Sequence, residues 1–408
     1  MEASLYIHVP FCASACEYCD FYSIIAKSGD PRFARYTGTL LLEAERLLKT
    51  YPFAGEFPLV KYNAHLPLEV PTIFIGGGTP SVLGAGEISR LLRGLSDLIT
   101  RYSSSLPVEI TIEANPESID ESFLAAIREW GVTRLSMGVQ TLYSPSRRAV
   151  NRIGDEALVY RKLALASEYF PGTFSVDLIS GLPFQDEKVL LNDIAAVLLY
   201  RPVHVSFYAL TSKLKTPLAS PDQDEADRLW ILGRDTLEKA GYSQYEVSNF
   251  CLPGKESLHN IRYWRMNNWL ALGPAASGTI INDRTGTGFR YTIPHDVDAW
   301  LSAKGCSFSR NQKQGGRFPP KTEELDTITL MKETLLMGFR YIKGLDEELF
   351  FRRFHLSLDE LIPKTLVTWR NQGSLQKDSP ALTKDGLLFL DRFLIDAFEE
   401  LDAVFSAW

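Results

Sequence analysis

Residues 4–21 read SLYIHVPFCASACEYCDF. The run 5–10 is short, apolar and rich in β-branched and aromatic residues, the composition of a buried strand. Immediately past it Cys12, Cys16 and Cys19 follow in a C-x3-C-x2-C spacing that keeps three sulfurs on one compact loop. Working outward, runs like the first recur at 71–75, 108–114, 134–139, 173–179 and 204–210. Between them, 32–49, 87–101, 120–130, 155–169 and 186–200 carry helical spacing. From the second run onward the strands start roughly 25–40 residues apart, the length of a βαβ unit, so a parallel sheet is expected. Six such units make either a doubly wound sheet or an incomplete barrel, and periodicity does not choose between them. Both place chemistry at the carboxyl ends of the strands.

The rest of the chain sets bounds on function. Its 408 residues exceed one typical domain, and 45% hydrophobic with 23% charged residues is the balance of a globular protein. With 43 basic against 50 acidic residues it carries a net charge of -7, which offers no basic face for nucleic acid. No apolar run approaches a membrane span, and the opening MEASLYIHVPFC lacks a basic leader followed by an apolar stretch. A cytoplasmic location is expected. Five cysteines, three of them within eight residues, do not form a secreted disulfide framework and point to metal or redox chemistry.

The segment 51–70, with four Pro or Gly residues, is expected to be a surface insertion. From about Pro221 the pattern changes: 222–240 reads as a helix closed by Gly241, and a mixed stretch runs to about Trp300. The polar, basic segment 309–321 reads as a linker. Helical runs with one turn-and-strand piece at 382–389 make 322–408 a small helical, winged-helix-like domain. The expected division is therefore 1–220, 221–308 and 322–408.

Thiolates are the soft ligands that hold iron–sulfur clusters or zinc. Three of them on a four-iron cube leave one iron without a protein ligand, open to an exchangeable group. The competing readings are a structural zinc site with His8 as fourth ligand, or three unrelated thiols. Structural zinc usually pairs C-x2-C halves far apart in sequence, whereas Cys251 and Cys306 stand alone and read as ordinary buried thiols. Gly76, Gly77, Gly78 and Thr79 close the second strand, where glycines allow a tight turn or close approach of backbone to a ligand. Glu113 ends the third strand at the functional rim. Asp177 lies within the otherwise apolar fifth, which is costly unless the carboxylate is paired.

The string YIHVPFCASACEYCDF resembles the opening of the radical S-adenosylmethionine (SAM) family that includes oxygen-independent coproporphyrinogen III oxidase and its heme-chaperone relatives. The resemblance continues through GGGTPS, EANP, RLSMGVQ, NR and DLISGLP and covers most of the chain. It implies a partial (β/α)6 barrel, an α/β fold with a C-terminal α+β extension, and a [4Fe-4S] cluster on Cys12, Cys16 and Cys19. It also implies bound SAM, cleaved by one electron to methionine and a 5′-deoxyadenosyl radical. By the same resemblance Gly77, Gly78, Thr79 and Glu113 meet the SAM amino group, Gln140 and Asp177 meet the ribose hydroxyls, and Arg152 pairs with the methionine carboxylate. Tyr6, Tyr18 and Ala209 match further SAM-contacting positions.

Two features distinguish branches. Position 21 is Phe, where the true oxidases, as the family is known, carry a further cysteine. LHNIRYW supplies His259, Asn260, Tyr263 and Trp264, matching the HNxxYW signature of the heme-chaperone (HemW-type) branch, which QYEVSNF and MGFRYIKGLD also resemble. His259 is then a heme ligand or contact, or else a buried imidazole supporting the fold; neutral imidazole is a common axial ligand. The leading expectation is a heme-binding, heme-delivering chaperone, served by an electron donor such as a flavodoxin or ferredoxin and by heme-accepting proteins. The alternative is oxidative decarboxylation of coproporphyrinogen III to protoporphyrinogen, an enzymatic role that Phe21 disfavours.

Overall fold

The computed structural model describes residues 2–50, 68–210, 221–307 and 318–406. Six strands, β1 (Ser4–Val9), β2 (Thr72–Gly77), β3 (Glu109–Ala114), β4 (Arg134–Gln140), β5 (Phe174–Ser180) and β6 (His204–Ala209), lie side by side in chain order, all parallel. The helices α1 (Arg32–Thr50), α2 (Gly84–Tyr102), α3 (Glu121–Glu129), α4 (Glu156–Tyr169), α5 (Glu187–Leu198) and α6 (Gln223–Lys239) follow the strands in turn. This is the expected (β/α)6 arrangement.

Strand alternation explains its two faces. Leu5, Ile7, Val9, Ile75, Ile112, Leu135, Met137, Val176 and Phe207 are wholly buried against the helices. The intervening positions are Tyr6, His8, Glu113, Ser136, Asp177 and Ser206, so the opposite face of the sheet is polar and aromatic. Helix starts are set locally: Asp120, Asp155, Asp186 and Asp222 each accept the backbone N–H three residues on. Each such cap is worth about 1 kcal/mol. α2 begins earlier than its spacing suggests, because a 3-10 turn over Pro80–Leu83 runs straight into it.

The segment after α6 adds to the same sheet at both edges. β7 (Asn249–Cys251) pairs antiparallel with β6, and Ser243–Gln244 pairs outside it. At the far edge β8 (Trp269–Leu272) pairs parallel with β1, followed antiparallel by β9 (Ser277–Asn282), β10 (Thr287–Thr292) and β11 (Lys321–Leu325). The result is one 12-stranded sheet. Of the expected insertion 51–70, the part up to 67 lies outside the described residues, as does 309–317 of the expected linker. The linker's last residue, Lys321, instead opens β11.

The C-terminal part is helical: α9 (Thr327–Gly338), α10 (Glu347–Phe354), α11 (Leu358–Leu361), α12 (Pro363–Asn371) and α13 (Leu390–Ser406), with α7 and α8 being the earlier helices Leu258–Trp264 and Val297–Ser302. Leu330, Leu335, Phe339, Phe350 and Phe393 form its own buried core. The turn-and-strand piece expected at 382–389 is a single bridge, Leu375 to Leu382, followed by a 3-10 turn over Gly386–Phe389. Gly386 sits so close to Ser374 that a Cβ would come within 2.0 Å of the Ser374 carbonyl oxygen, which bends the chain away from an extended path.

Candidate functional site

The cysteine loop leaves the carboxyl end of β1 and is stitched to its surroundings by backbone. Phe11–Cys12 pairs with Ile24–Ile25, and Gly78 and Thr79 donate their N–H groups to the carbonyls of Val9 and Phe11, both at 2.7 Å. On the other side Ser14 donates to Asn151 O at 3.0 Å, and Arg152 Nη1 lies 3.7 Å from Cys16 Sγ. All three thiols are free and half-buried, and burial pushes those of Cys12 and Cys19 above the ordinary thiol range. His8 is not available as a fourth ligand: its Nδ1 meets Tyr6 Oη at 3.0 Å and its Nε2 meets Tyr22 O at 2.8 Å. Among the described residues no three or more His, Cys, Asp or Glu gather closely enough to hold a single ion. Three soft thiols on one short loop are a donor set that fits an iron–sulfur cluster.

The glycine turn proves to be required by the protein itself. A Cβ at Gly76 would lie 2.7 Å from Glu113 Oε2, one at Gly77 (φ +105) 2.5 Å from His8 Nδ1, and one at Gly78 2.6 Å from Phe11 O. The triplet therefore lets β2, the Glu113 carboxyl and the cysteine loop share one small volume, with Thr79 Oγ1 3.5 Å from Cys12 Sγ.

Beside the turn stand two carboxyls. Glu113 accepts Gly77 N–H at 3.2 Å, and its pKa is pushed up to about 8 by burial and then by the charge of Asp177. Asp177 is raised to about 6 by burial, an effect eased by the hydroxyls of Ser206 and Ser136. The lone acid in an apolar strand is thus paired, as its cost demands. Gln140 ends β4 in a left-handed backbone (φ 69) beside an irregularity in the β4–β5 register, and its Oε1 is buried without a partner among the described residues. Such strain gathers where structure serves function.

Arg152 is deeply buried and largely committed. Its Nη2 bonds Gly138 O and, at 3.1 Å, Asn115 Oδ1, which leaves only Nε without a partner among the described residues. In this structure the guanidinium expected to pair with a carboxylate meets the Gly138 carbonyl, Asn115 and Cys16. Asn115, not singled out from the sequence beyond its place in EANP, is the hub here: its Nδ2 donates to Thr79 Oγ1 at 2.9 Å while its Oδ1 holds Arg152. Tyr18 packs near Val150, Ile179 and Leu182, and Ala209 is exposed at the end of β6. The unpaired atoms of Gln140 and Arg152 and the two acids together suit a polar ligand carrying an amine and hydroxyls, which is the character of SAM.

α7 lies across the amino ends of the strands. Glu109, which opens β3, accepts the N–H groups of Leu258 and His259 at 3.1 and 2.9 Å, so a carboxylate sits at the helix N-terminus. Arg262 reaches Ser4 and Glu2 at 2.7 and 2.9 Å. His259 is 1% exposed, bonded through Nδ1 to Thr72 Oγ1 at 2.8 Å and packed 5.2 Å from the Phe74 ring and 4.9 Å from Tyr263. It is a floor residue of the barrel. Asn260, Tyr263 and Trp264 instead line a cavity of about 450 Å³ together with Tyr208, Glu246 and Arg340. The neighbouring segments QYEVSNF and LHNIRYW therefore meet MGFRYIKGLD, more than 70 residues further on, at one place. Cys251 and Cys306 are buried at 2% and 0% exposure.

Residues 6–194 match the Radical SAM superfamily. The chain is 33% identical over 399 residues to a heme chaperone HemW of Haemophilus influenzae, covering 96% of each chain. It is 31% identical over 403 residues to HemW of Bacillus subtilis, covering 94% of this chain and 96% of that protein. Over 424 residues it is 31% identical to the mitochondrial radical S-adenosyl methionine domain-containing protein 1 of Bos taurus, covering 100% of this chain and 89% of that one. Among solved structures the coproporphyrinogen III oxidase HemN of Escherichia coli, a radical SAM enzyme, superposes with a TM-score of 0.76 at 22% identity over 97% of this chain and 90% of that one, a likeness of fold. Among the described residues no helix is long and apolar enough to cross a membrane.

Proposed function

The chain belongs to the radical SAM superfamily, in the family of the HemW heme chaperones, and on that premise we propose that it binds heme and delivers it to heme-requiring proteins. The observation that carries the proposal is the meeting of LHNIRYW, QYEVSNF and MGFRYIKGLD around one cavity, which Tyr208 near the end of β6 also lines. A volume of about 450 Å³ is within the range of ligand-binding pockets.

Cys12, Cys16 and Cys19 would hold the cluster, and Glu113, Gln140 and Asp177 would hold SAM. When bound, these groups supply one-electron radical chemistry; the protein supplies binding and orientation. Glu113, with its pKa near 8, accepts a proton or gives it up according to what cation lies beside it. Asn115 and Arg152 fix the Thr79 hydroxyl and the Cys16 side of the loop. Tyr208 connects the two regions, since the charges of Asp177, Glu246 and Glu113 all act on its phenol.

The test is anaerobic reconstitution followed by heme titration, then presentation of a heme-free acceptor enzyme with and without SAM and a reductant. Stoichiometric heme uptake with recovery of acceptor activity is expected. Failure to bind heme at all would overturn the proposal.

A further inference from the structure

Three buried polar atoms on the cavity's lining residues have no hydrogen-bond partner among the described residues: Arg340 Nε, Trp264 Nε1 and Asn249 Oδ1. Each would cost on the order of 1–3 kcal/mol if left unsatisfied, and native interiors rarely leave such atoms so without a ligand or water to meet them. Here three fall on one cavity. Two are donors, and the Arg340 guanidinium forms no hydrogen bond or ion pair among the described residues. The neighbouring acid Glu246 is 2% exposed, accepts Ser248 N–H at 3.2 Å and forms no ion pair with Arg340 among the described residues; burial pushes its pKa up to about 7 while the Arg340 charge acts the other way.

Besides the polar Ser248 and Asn260, the wall carries Tyr208, Tyr263, Trp264, Val247 and Met337. A flat apolar body suits such walls, and paired N–H donors beside them suit a carboxylate, which arginine meets in a fork. Resting on the heme reading above, we infer that Arg340 and the Trp264 indole N–H bind a propionate carboxylate of the tetrapyrrole and so fix its orientation in the cavity. Neither residue touches the cysteine loop or the acids at the strand ends, so the recognition is separable from cluster and SAM binding.

The experiment compares heme with its dimethyl ester, in which both propionates are masked, by absorbance titration of the full reconstituted protein. The parent should bind heme roughly tenfold to hundredfold more tightly than the ester, the loss expected for a charge-assisted contact. Arg340→Gln should bind the two almost equally, with unchanged iron–sulfur content and SAM affinity, and Arg340→Lys should recover part of the preference. Trp264→Phe, which keeps the ring and loses the N–H, should narrow the preference as well. Equal binding of heme and ester by the parent would overturn the inference without requiring any variant to fold. So would an undiminished preference in Arg340→Gln. Absence of binding by either compound would instead remove the heme reading itself, a result distinct from both.

Discussion

His259 and Thr72 share a 2.8 Å hydrogen bond that fixes which imidazole nitrogen carries the proton. Thr72 spends its single hydroxyl proton on Ser4 Oγ at 2.9 Å, so it accepts from His259 Nδ1–H. The lone pair is therefore on Nε2, which is buried without a partner among the described residues. Burial, then the charge of Arg262, lowers the pKa to about 3, so the ring is neutral under physiological conditions.

Acid stability follows from that shift. Below about pH 6.5 the unfolded chain protonates this histidine while the folded one does not until about 3, so stability falls as pH falls through that window. The loss should approach, and not exceed, about 1.4 kcal/mol per pH unit. Denaturant titrations of the parent and His259→Phe between pH 4 and 7 should show a steeper decline in the parent; equal slopes would disprove the assignment.

The same residue separates two roles in heme binding. If Nε2 ligates heme after local rearrangement, His259→Ala should weaken and shift the Soret band. If the ring only anchors α7, the spectrum should keep its shape while affinity falls through a displaced Tyr263. A variant identical to the parent in both affinity and spectrum would exclude both.

The proposed ligand set of Cys12, Cys16 and Cys19 makes cluster assembly depend on each thiol. Cys16→Ala should retain the fold, because Cys16 is half-buried, yet lose the brown chromophore and the expected content of roughly four irons per chain. Full iron content in that variant would refute the ligand set.

With Glu113 as the proposed partner of the SAM ammonium, SAM binding is expected to be proton-linked. The Glu113 carboxyl is largely protonated at pH 7, and an ammonium placed beside it favours the ionised form, so binding should release a proton and strengthen as pH rises from 6 toward 8. Calorimetry in two buffers of different ionisation heat should detect the release, and Glu113→Gln should abolish both it and the pH dependence. For the free protein the sign is opposite: the raised pKa favours folding below about 4.5 and that contribution is lost as pH rises through about 8.

Coproporphyrinogen III should remain unconverted by protein with intact cluster and SAM. Phe21 stands where the oxidases carry a further cysteine, and it is 65% exposed beside the cysteine loop. Catalytic accumulation of protoporphyrinogen would promote the oxidase reading.

The six central strands and their helices were legible because their signals are local: β-branched runs, and an Asp at the start of most helices that caps it. The cysteine spacing was legible for the same reason. The outer strands β8 to β11 were not, since short strands in a mixed stretch carry no long period. The position of α7 is set by Glu109 and Thr72, 150 and 187 residues from His259, and no local pattern encodes such distances. Arg152 was visible as a cation, but its partners Asn115 and Gly138 O lie 37 and 14 residues away, and no local pattern encodes them.

The pairing of β1 with β8 has a consequence for biogenesis. Ser4–Val9 is made roughly 260 residues before its partner on one side, Trp269–Leu272. At roughly 5–20 residues per second, the nascent barrel waits on the order of 10–50 s with that hydrogen-bonding edge open. An unpaired strand edge is a template for association with other chains. The cysteine loop hangs from the same strand, and late truncations that remove β8 should yield insoluble chains even though every cysteine of the C-x3-C-x2-C loop is present.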